Sequence, residues 1–295
     1  MAKEQGIKVF STIKEAVVLY FKNFPLLFTI MVIMEIPIFG YLFLAGLVTK
    51  NPENSVYATM FFATMAAATL LAVAGWNASV SAFSSLYKGE KTGLGMAYGV
   101  GFKRYFRSLA AGILYILIAM GGTVLLIVPG FIFMITYMFA LPVAVLEDVK
   151  TSPLKMSAKL SKDNKWQLFA IFLLLYIVIV GPGFLISFLS GAYADPAKST
   201  DIVYLLLSSI PGLFLGQLFT GALVVSYEKL KEIKKDEIKP EELKGLSTPI
   251  GCLVSALILV GVMVVGVIVG VVVGKYAEAI KNKAAIESSG INETE

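Results

Sequence analysis

Glu35 is the only charged residue well inside one of the chain's long apolar runs, in the stretch IMEIPIFG. Pro37 lies two residues on and, in a helix, removes an N–H and frees a backbone carbonyl. A carboxylate held away from water is costly to keep charged, so an ionisable residue at this depth is a functional candidate by default. It suits a proton or cation site, or a polar contact for a lipid headgroup. Equally, its neutral form serves as a hydrogen-bonding contact between neighbouring helices. Its candidate partners lie in two other apolar runs: Asn77, Ser79 and Ser81 beside Trp76, and Ser208, Ser209, Gln217 and Thr220. Ser and Thr in such runs are chiefly helix–helix glue. Asn77 and Gln217 cost more to bury, so they join Glu35 as the candidate intramembrane polar site. Gly181-Pro182-Gly183 and Pro211-Gly212 are breaks at corresponding places in two further runs. Paired broken helices can mark a transport site, and packing kinks are the alternative.

Catalytic constellations are missing from the sequence. There is no histidine, and Cys252 is the single cysteine. No triad, zinc cluster, P-loop or intramembrane carboxylate pair can be assembled. The expectation is a protein that is not an enzyme, with no cofactor and no metal site.

The elements that must position these residues are read from composition. Of 295 residues, 57% are hydrophobic and 15% charged, and the mean hydropathy is +0.81. Soluble domains carry about 25% charged residues. A chain this apolar hides its surface in lipid, and a helix needs about 20 apolar residues to cross. Seven runs qualify: Phe24–Val48, Val56–Leu86, Phe106–Val128, Phe131–Leu146, Trp166–Leu189, Ile202–Val225 and Ile250–Gly274. The fourth is the shortest. Pro129-Gly130 before it is a turn signal, predicting a tight hairpin, with a re-entrant element as the alternative.

Charge gives the orientation. Twenty of the 25 Lys and Arg residues fall before the first run or in alternate gaps between runs, counting Arg107 at the very start of the third run. By the positive-inside rule the N-terminus is cytoplasmic and the C-terminus external. Seven crossings keep every basic cluster on one side. The pI near 9.0 therefore points to anionic lipid rather than nucleic acid. No cleavable signal peptide is expected, because the first run is too long and lacks a small-residue cleavage site. Asn292-Glu293-Thr294 forms a glycosylation sequon that matters only in a host that glycosylates exported proteins.

The expected organisation is a cytoplasmic interfacial amphipathic helix over 1–23, a six-span bundle over 24–227, a charged cytoplasmic linker over 228–249, a seventh transmembrane helix over 250–276 and an external tail over 277–295. In the first segment Phe10, Ile13, Val17 and Tyr20 fall at helical spacing. Ser152 reads as an N-cap with Pro153 at the first helical position. A surface helix followed by two spans recurs over roughly 7–88, 92–146 and 152–230, unless any basic loop entering a membrane looks like this. The Lys/Glu run EKLKEIKKDEIKPEELKGLS reads as a helix leaving the membrane on i,i+4 ion pairs and broken at Pro240. Gly266, Gly270 and Gly274 stripe the last run, where another helix can approach closely, in its own bundle or in a partner.

Two stretches carry a likeness to a known family. One is LLIVPGFIFMITYMFALPVAVLED (125–148), continued by KMSAKLSKDNKWQLFAIFLLL (155–175). The other is SSLYKGEKTGLGMAYGVGFKRYF (84–106), echoed by GALVVSYEKLKE (221–232). Together they resemble the prokaryotic YciC-type family of six-span proteins, related to the membrane domain fused to some glycerophosphodiester phosphodiesterases. In this resemblance Pro129-Gly130 matches a Pro-Gly turn, Pro142 and Glu147 a span end, Ser157 and Asn164-Lys165-Trp166 a helix start, and Tyr227 the close of the sixth span. Asp163 stands where Gly is common, and the seventh run lies outside the pattern. The resemblance implies an integral protein of a prokaryotic cell membrane and supplies no catalytic residue.

The fold class expected is all-α integral membrane: a six-span helical bundle with cytoplasmic interfacial helices plus a seventh C-terminal transmembrane helix. The function expected is non-enzymatic binding of membrane lipids or of a partner, which would be a second copy or another membrane protein met through the seventh helix. The alternative is a transporter or channel for a small solute or amphiphile using Glu35.

Overall fold

The structure is a computed structural model and describes residues 6–50, 55–125, 127–189 and 202–243. The seventh run with Gly266, Gly270 and Gly274, Cys252 and the Asn292 sequon all lie outside the described residues. Within them the chain is helical throughout, with no strand. The helices are α1 (Val9–Lys22), α2 (Phe24–Lys50), α3 (Ser55–Tyr87), α4 (Leu94–Lys103), α5 (Tyr105–Leu125), α6 (Ile127–Tyr137), α7 (Ala140–Leu146), α8 (Pro153–Ser161), α9 (Lys165–Leu189) and α10 (Ile202–Ile233). A 3₁₀ turn covers Pro240–Leu243.

Four helical stretches are long and apolar enough to cross a membrane: Thr59–Tyr87, Tyr105–Thr123, Val128–Leu146 and Lys165–Leu189. The pair Val9–Lys22 and Phe24–Gly40, bent by 85°, makes up to five. The outward faces of these helices stay apolar. On α9, Ile177, Val178, Phe184, Leu185 and Phe188 are all exposed. An apolar face this continuous is untenable in water and ordinary against lipid.

The order of elements follows the threefold pattern of a short helix and two long ones, with the second unit's last helix split into α6 and α7. The largest fully buried side chains, among them Tyr20, Phe83, Phe139, Leu160 and Tyr227, gather at the end of the bundle where α1, α4 and α8 lie. This basic end is the packed core. α1 turns into α2 at Asn23, whose Nδ2 donates to the Leu19 carbonyl (2.9 Å) and closes the helix. It buries Thr12, Ala16 and Tyr20. Phe10 stays exposed while Tyr20 is buried, so the expected Phe10–Tyr20 stripe divides between core and surface.

Contacts between α5 and the next two helices run in opposite chain directions. A Cβ on Gly130 would lie 2.8 Å from Thr123 Cα, one on Gly122 would meet Gly130 Cα at 3.0 Å, and one on Gly112 would meet Leu141 at 3.5 Å. The pair is thus an antiparallel hairpin. Pro129-Gly130 is not its turn, however. Both residues lie in the first turn of α6, where a missing N–H costs nothing, and Gly130 permits the close crossing.

The fourth run breaks at Met138–Phe139. Pro142 cannot donate to the Met138 carbonyl, which opens the helix there. α8 closes the gap. Ser157 Oγ and Ser161 Oγ each donate to the Thr136 carbonyl at 2.9 Å, and the Phe139 N–H donates to Ser157 Oγ at 3.1 Å. Ser152 and Pro153 begin α8 as expected from their positions, although the Ser152 side chain makes no capping bond. By contrast, Gly181-Pro182-Gly183 and Pro211-Gly212 do not interrupt their helices. α9 and α10 run through them, as apolar helices tolerate proline when other groups satisfy the freed backbone.

Candidate functional site

α3 carries its polar groups on two faces, and each face meets a different neighbour. On one, Asn77 Nδ2 donates to the Gly101 carbonyl (3.1 Å) and to Ser108 Oγ (2.7 Å), while Ser108 Oγ donates to the Tyr105 carbonyl (2.9 Å). The arrangement requires α4 to approach α3 very closely. A Cβ on Gly101 would collide with the Ala74 carbonyl oxygen and stand 3.3 Å from Ala78 N. On the other face, Gln217 Nε2 donates to Ser79 Oγ (3.0 Å), which donates to the Gly75 carbonyl (3.0 Å). Gly221 lets α10 reach α3 here, since a Cβ would stand 2.7 Å from the Phe83 ring.

The three residues expected to form one polar site are therefore separate. Asn77 faces α4 and α5, and Gln217 faces Ser79. Glu35 is half-buried on α2 and makes no hydrogen bond to a described residue. Of the three, Asn77 lines the cavity between α3 and α5, and Glu35 and Gln217 do not. This cavity, about 440 Å³, lies between α3, α5, α7 and α10, with Trp76, Gly112, Leu141 and Leu223 on its wall. Its rim is open, because Ile116 is 53% and Phe219 40% exposed. The volume falls in the range that holds one small ligand, about 300–1,000 Å³. Asn77 Oδ1 accepts no hydrogen bond.

Toward the basic end, α10 becomes a hub. Glu228, 7% exposed, accepts from Ser84 Oγ (2.5 Å) and pairs with Lys88 (3.0 Å). One residue on, Lys229 pairs with Glu15 of α1 (2.8 Å). Tyr227 OH and Lys231 Nζ both donate to Glu147 Oε1 at the end of α7. Lys234 Nζ donates to the Lys159 carbonyl (3.1 Å) and to the Lys162 carbonyl at the end of α8. Burial pushes the Lys234 ammonium below the ordinary lysine value, with Asp163 pulling the other way. The Lys/Glu run is thus not held by i,i+4 pairs within one helix. Successive charges from Glu228 in α10 to Lys234 just beyond it reach α3, α1, the end of α7 and α8. The helix ends at Ile233, before Pro240, and the 3₁₀ turn docks back through Ser152 N–H to the Leu243 carbonyl (2.7 Å).

Arg107 completes the hub. Its guanidinium donates to four carbonyls, those of Ala144 (3.0 Å), Glu147 (2.7 Å), Asp148 (2.7 Å) and Thr151 (2.9 Å). These are the orphan acceptors at the C-terminus of α7 and in the loop beyond, where partial negative charge collects. Sequence reasoning counts Arg107 as one basic residue among many. Its role depends on the antiparallel packing of α5 on α7, which no local signal reports. Among the described residues no cluster of His, Cys, Asp and Glu could hold a metal ion.

Scans against family models, curated proteins and solved structures gave no match.

Proposed function

We propose that this protein is a multi-pass component of a prokaryotic cell membrane that binds a membrane amphiphile in the lateral cavity between α3 and α5. The carrying observation is the open, apolar cavity of about 440 Å³. The rim at Ile116 and Phe219 faces the apolar surface of the bundle, so a chain can enter from the bilayer without crossing water. In this reading α2, α3, α5, α6 with α7, α9 and α10 are six spans, 250–276 adds a seventh, and the basic end faces the cytoplasm. Exposed Phe10, Phe21, Phe102, Phe106 and Trp166 at that end suit the boundary between headgroups and acyl chains, where the apolar faces of interfacial helices rest.

Membership of the YciC-type family belongs to the same proposal. Support comes from how its motif residues are used here: Glu147 bonds Tyr227, Ser157 seals the α6–α7 break, and Asn164 Oδ1 accepts from the Ile7 N–H (3.1 Å). The transporter reading rests on Glu35, which does not line the cavity, and on helix breaks that α9 and α10 do not show. Binding therefore comes first.

The test is lipid carried through purification. Gly112→Leu fills the cavity, because the new side chain grows from a wall position 3.5 Å from Leu141. Mass spectrometry of the purified wild type should find bound amphiphile at near-stoichiometric yield, and G112L should lose most of it. Equal yields from two equally folded proteins would overturn the proposal.

A further inference from the structure

Phe10, Lys14, Val18 and Lys22 stand four residues apart and form one exposed row along α1, with exposed Phe21 beside it. Lys14, Val18 and Lys22 also line a groove of about 480 Å³ that α1 makes with Tyr87, the last residue of α3. The groove is accessible from outside, since Val18 is 55% exposed and both lysines are exposed. α1 turns by 85° from the helix that follows it. With α2 crossing the bilayer, the row therefore lies along the membrane surface.

The groove is positively charged. Neither Lys14 nor Lys22 forms an ion pair with a described residue. Glu15 is the only carboxylate on the wall. It accepts from Ser11 Oγ (2.9 Å) and pairs with Lys229 (2.8 Å), so its charge is already met. Two ammonium groups about 12 Å apart along one helix edge, flanked by Phe10, Val18 and Phe21, match an anion that carries hydrocarbon. Inorganic phosphate would leave the apolar part of that match unused. A zwitterionic headgroup brings a cation of its own, and the one carboxylate that could take it is engaged by Lys229.

We infer that this groove binds the headgroup of an anionic glycerophospholipid, with its phosphate held by Lys14 and Lys22 and its chains against Phe10 and Phe21. The inference rests on the multi-pass membrane reading above and is independent of the lateral cavity.

Native mass spectrometry of the detergent-solubilised full chain tests it. The protein is titrated with phosphatidylglycerol and with phosphatidylcholine of the same chains, and bound lipid is counted. Phosphatidylglycerol should bind at about thirtyfold lower concentration. Lys14→Gln and Lys22→Gln should each weaken it by about fivefold, and the double variant should bring it to the level of phosphatidylcholine. Both lysines are exposed, so these variants should keep the fold. The Lys14→Arg/Lys22→Arg protein keeps both charges and should keep the preference. Inorganic phosphate should displace the lipid no better than chloride at equal ionic strength. Equal binding of the two lipids, no loss in the double glutamine variant, or displacement by phosphate where chloride has no effect overturns the inference. Repeating the titration in Gly112→Leu keeps the lateral cavity out of the count, so failure at the groove leaves cavity binding standing. A wild type that stays dispersed without detergent would overturn the membrane reading and the inference with it.

Discussion

The Tyr227 hydroxyl donates to the Glu147 carboxylate, joining α10 to the end of α7 across 80 residues of chain. Lys231, one helical turn further on, donates to the same oxygen. Tyr227 has no exposed surface and Glu147 is only 17% exposed, so water competes poorly for either group. A double-mutant cycle reads the bond. Tyr227→Phe should cost about 1 kcal/mol and Glu147→Gln about 2 kcal/mol, because the second change also strips Lys231 of its partner. The two should be coupled by about 1 kcal/mol. Thermal or denaturant melts of the solubilised protein measure this, and strictly additive costs would mean that the contact contributes nothing.

Arg107 holds four carbonyls with one planar fork. Lysine keeps the charge but cannot reproduce the fork. Arg107→Lys should therefore lose about 2 kcal/mol of stability, most of what Arg107→Ala loses. A lysine variant as stable as the wild type would show that charge alone suffices at this helix end.

Gly99 and Gly101 stand two residues apart in α4 and should respond in opposite ways. Nothing lies within 4 Å of a Cβ on Gly99. Gly99→Ala should be neutral or stabilising by up to about 1 kcal/mol through helix propensity. Gly101→Ala drives a methyl into the backbone of α3 and should cost about 2–3 kcal/mol. It should also loosen Asn77, which bonds the Gly101 carbonyl. Matched melting temperatures for the two variants would contradict the close packing of α3 and α4.

Asp163 has φ +67°, the one left-handed non-glycine residue among those described. It is exposed, and its 3.9 Å pairing with Lys234 is weak. Asp163→Gly should gain about 0.5 kcal/mol, whereas the β-branched Asp163→Val should lose about 1–2 kcal/mol. If valine proves as stable as glycine in a melt, the turn between α8 and α9 is not held in this conformation.

The long apolar helices were legible because length and hydropathy are properties of a segment by itself. α1, α4 and α8 were legible for a similar reason, since basic and aromatic residues cluster where each gives way to a long helix. Pairing is another matter. The expectation of i,i+4 bridges fails already on spacing, since 228–234 offers opposite charges only three apart (Glu228/Lys231 and Lys229/Glu232), and the positions of α1, α3, α7 and α8 around α10 then draw those charges outward. Pro129-Gly130 carried a turn signal, but proline is equally at home in the first turn of a helix. Pro142 gave no such signal by dipeptide, yet its missing N–H opens the chain at Met138. Glu35, Asn77 and Gln217 shared a chemical type. Which of them borders a cavity depends on helix rotation, and a residue's identity does not encode that.

The hub on α10 bears on the order in which the protein assembles. α1 and α8 leave the ribosome well before the segment that clamps them, because Glu15 waits for Lys229 and the end of α8 waits for Lys234. At synthesis rates of about 5–20 residues per second, α1 and α8 wait without these partners until α10 has been made. Locking is then nearly simultaneous, since residues 227–234 engage every one of these neighbours within two turns. A stalled or truncated chain would thus present α1 and α8 unclamped, open to chaperones and proteases.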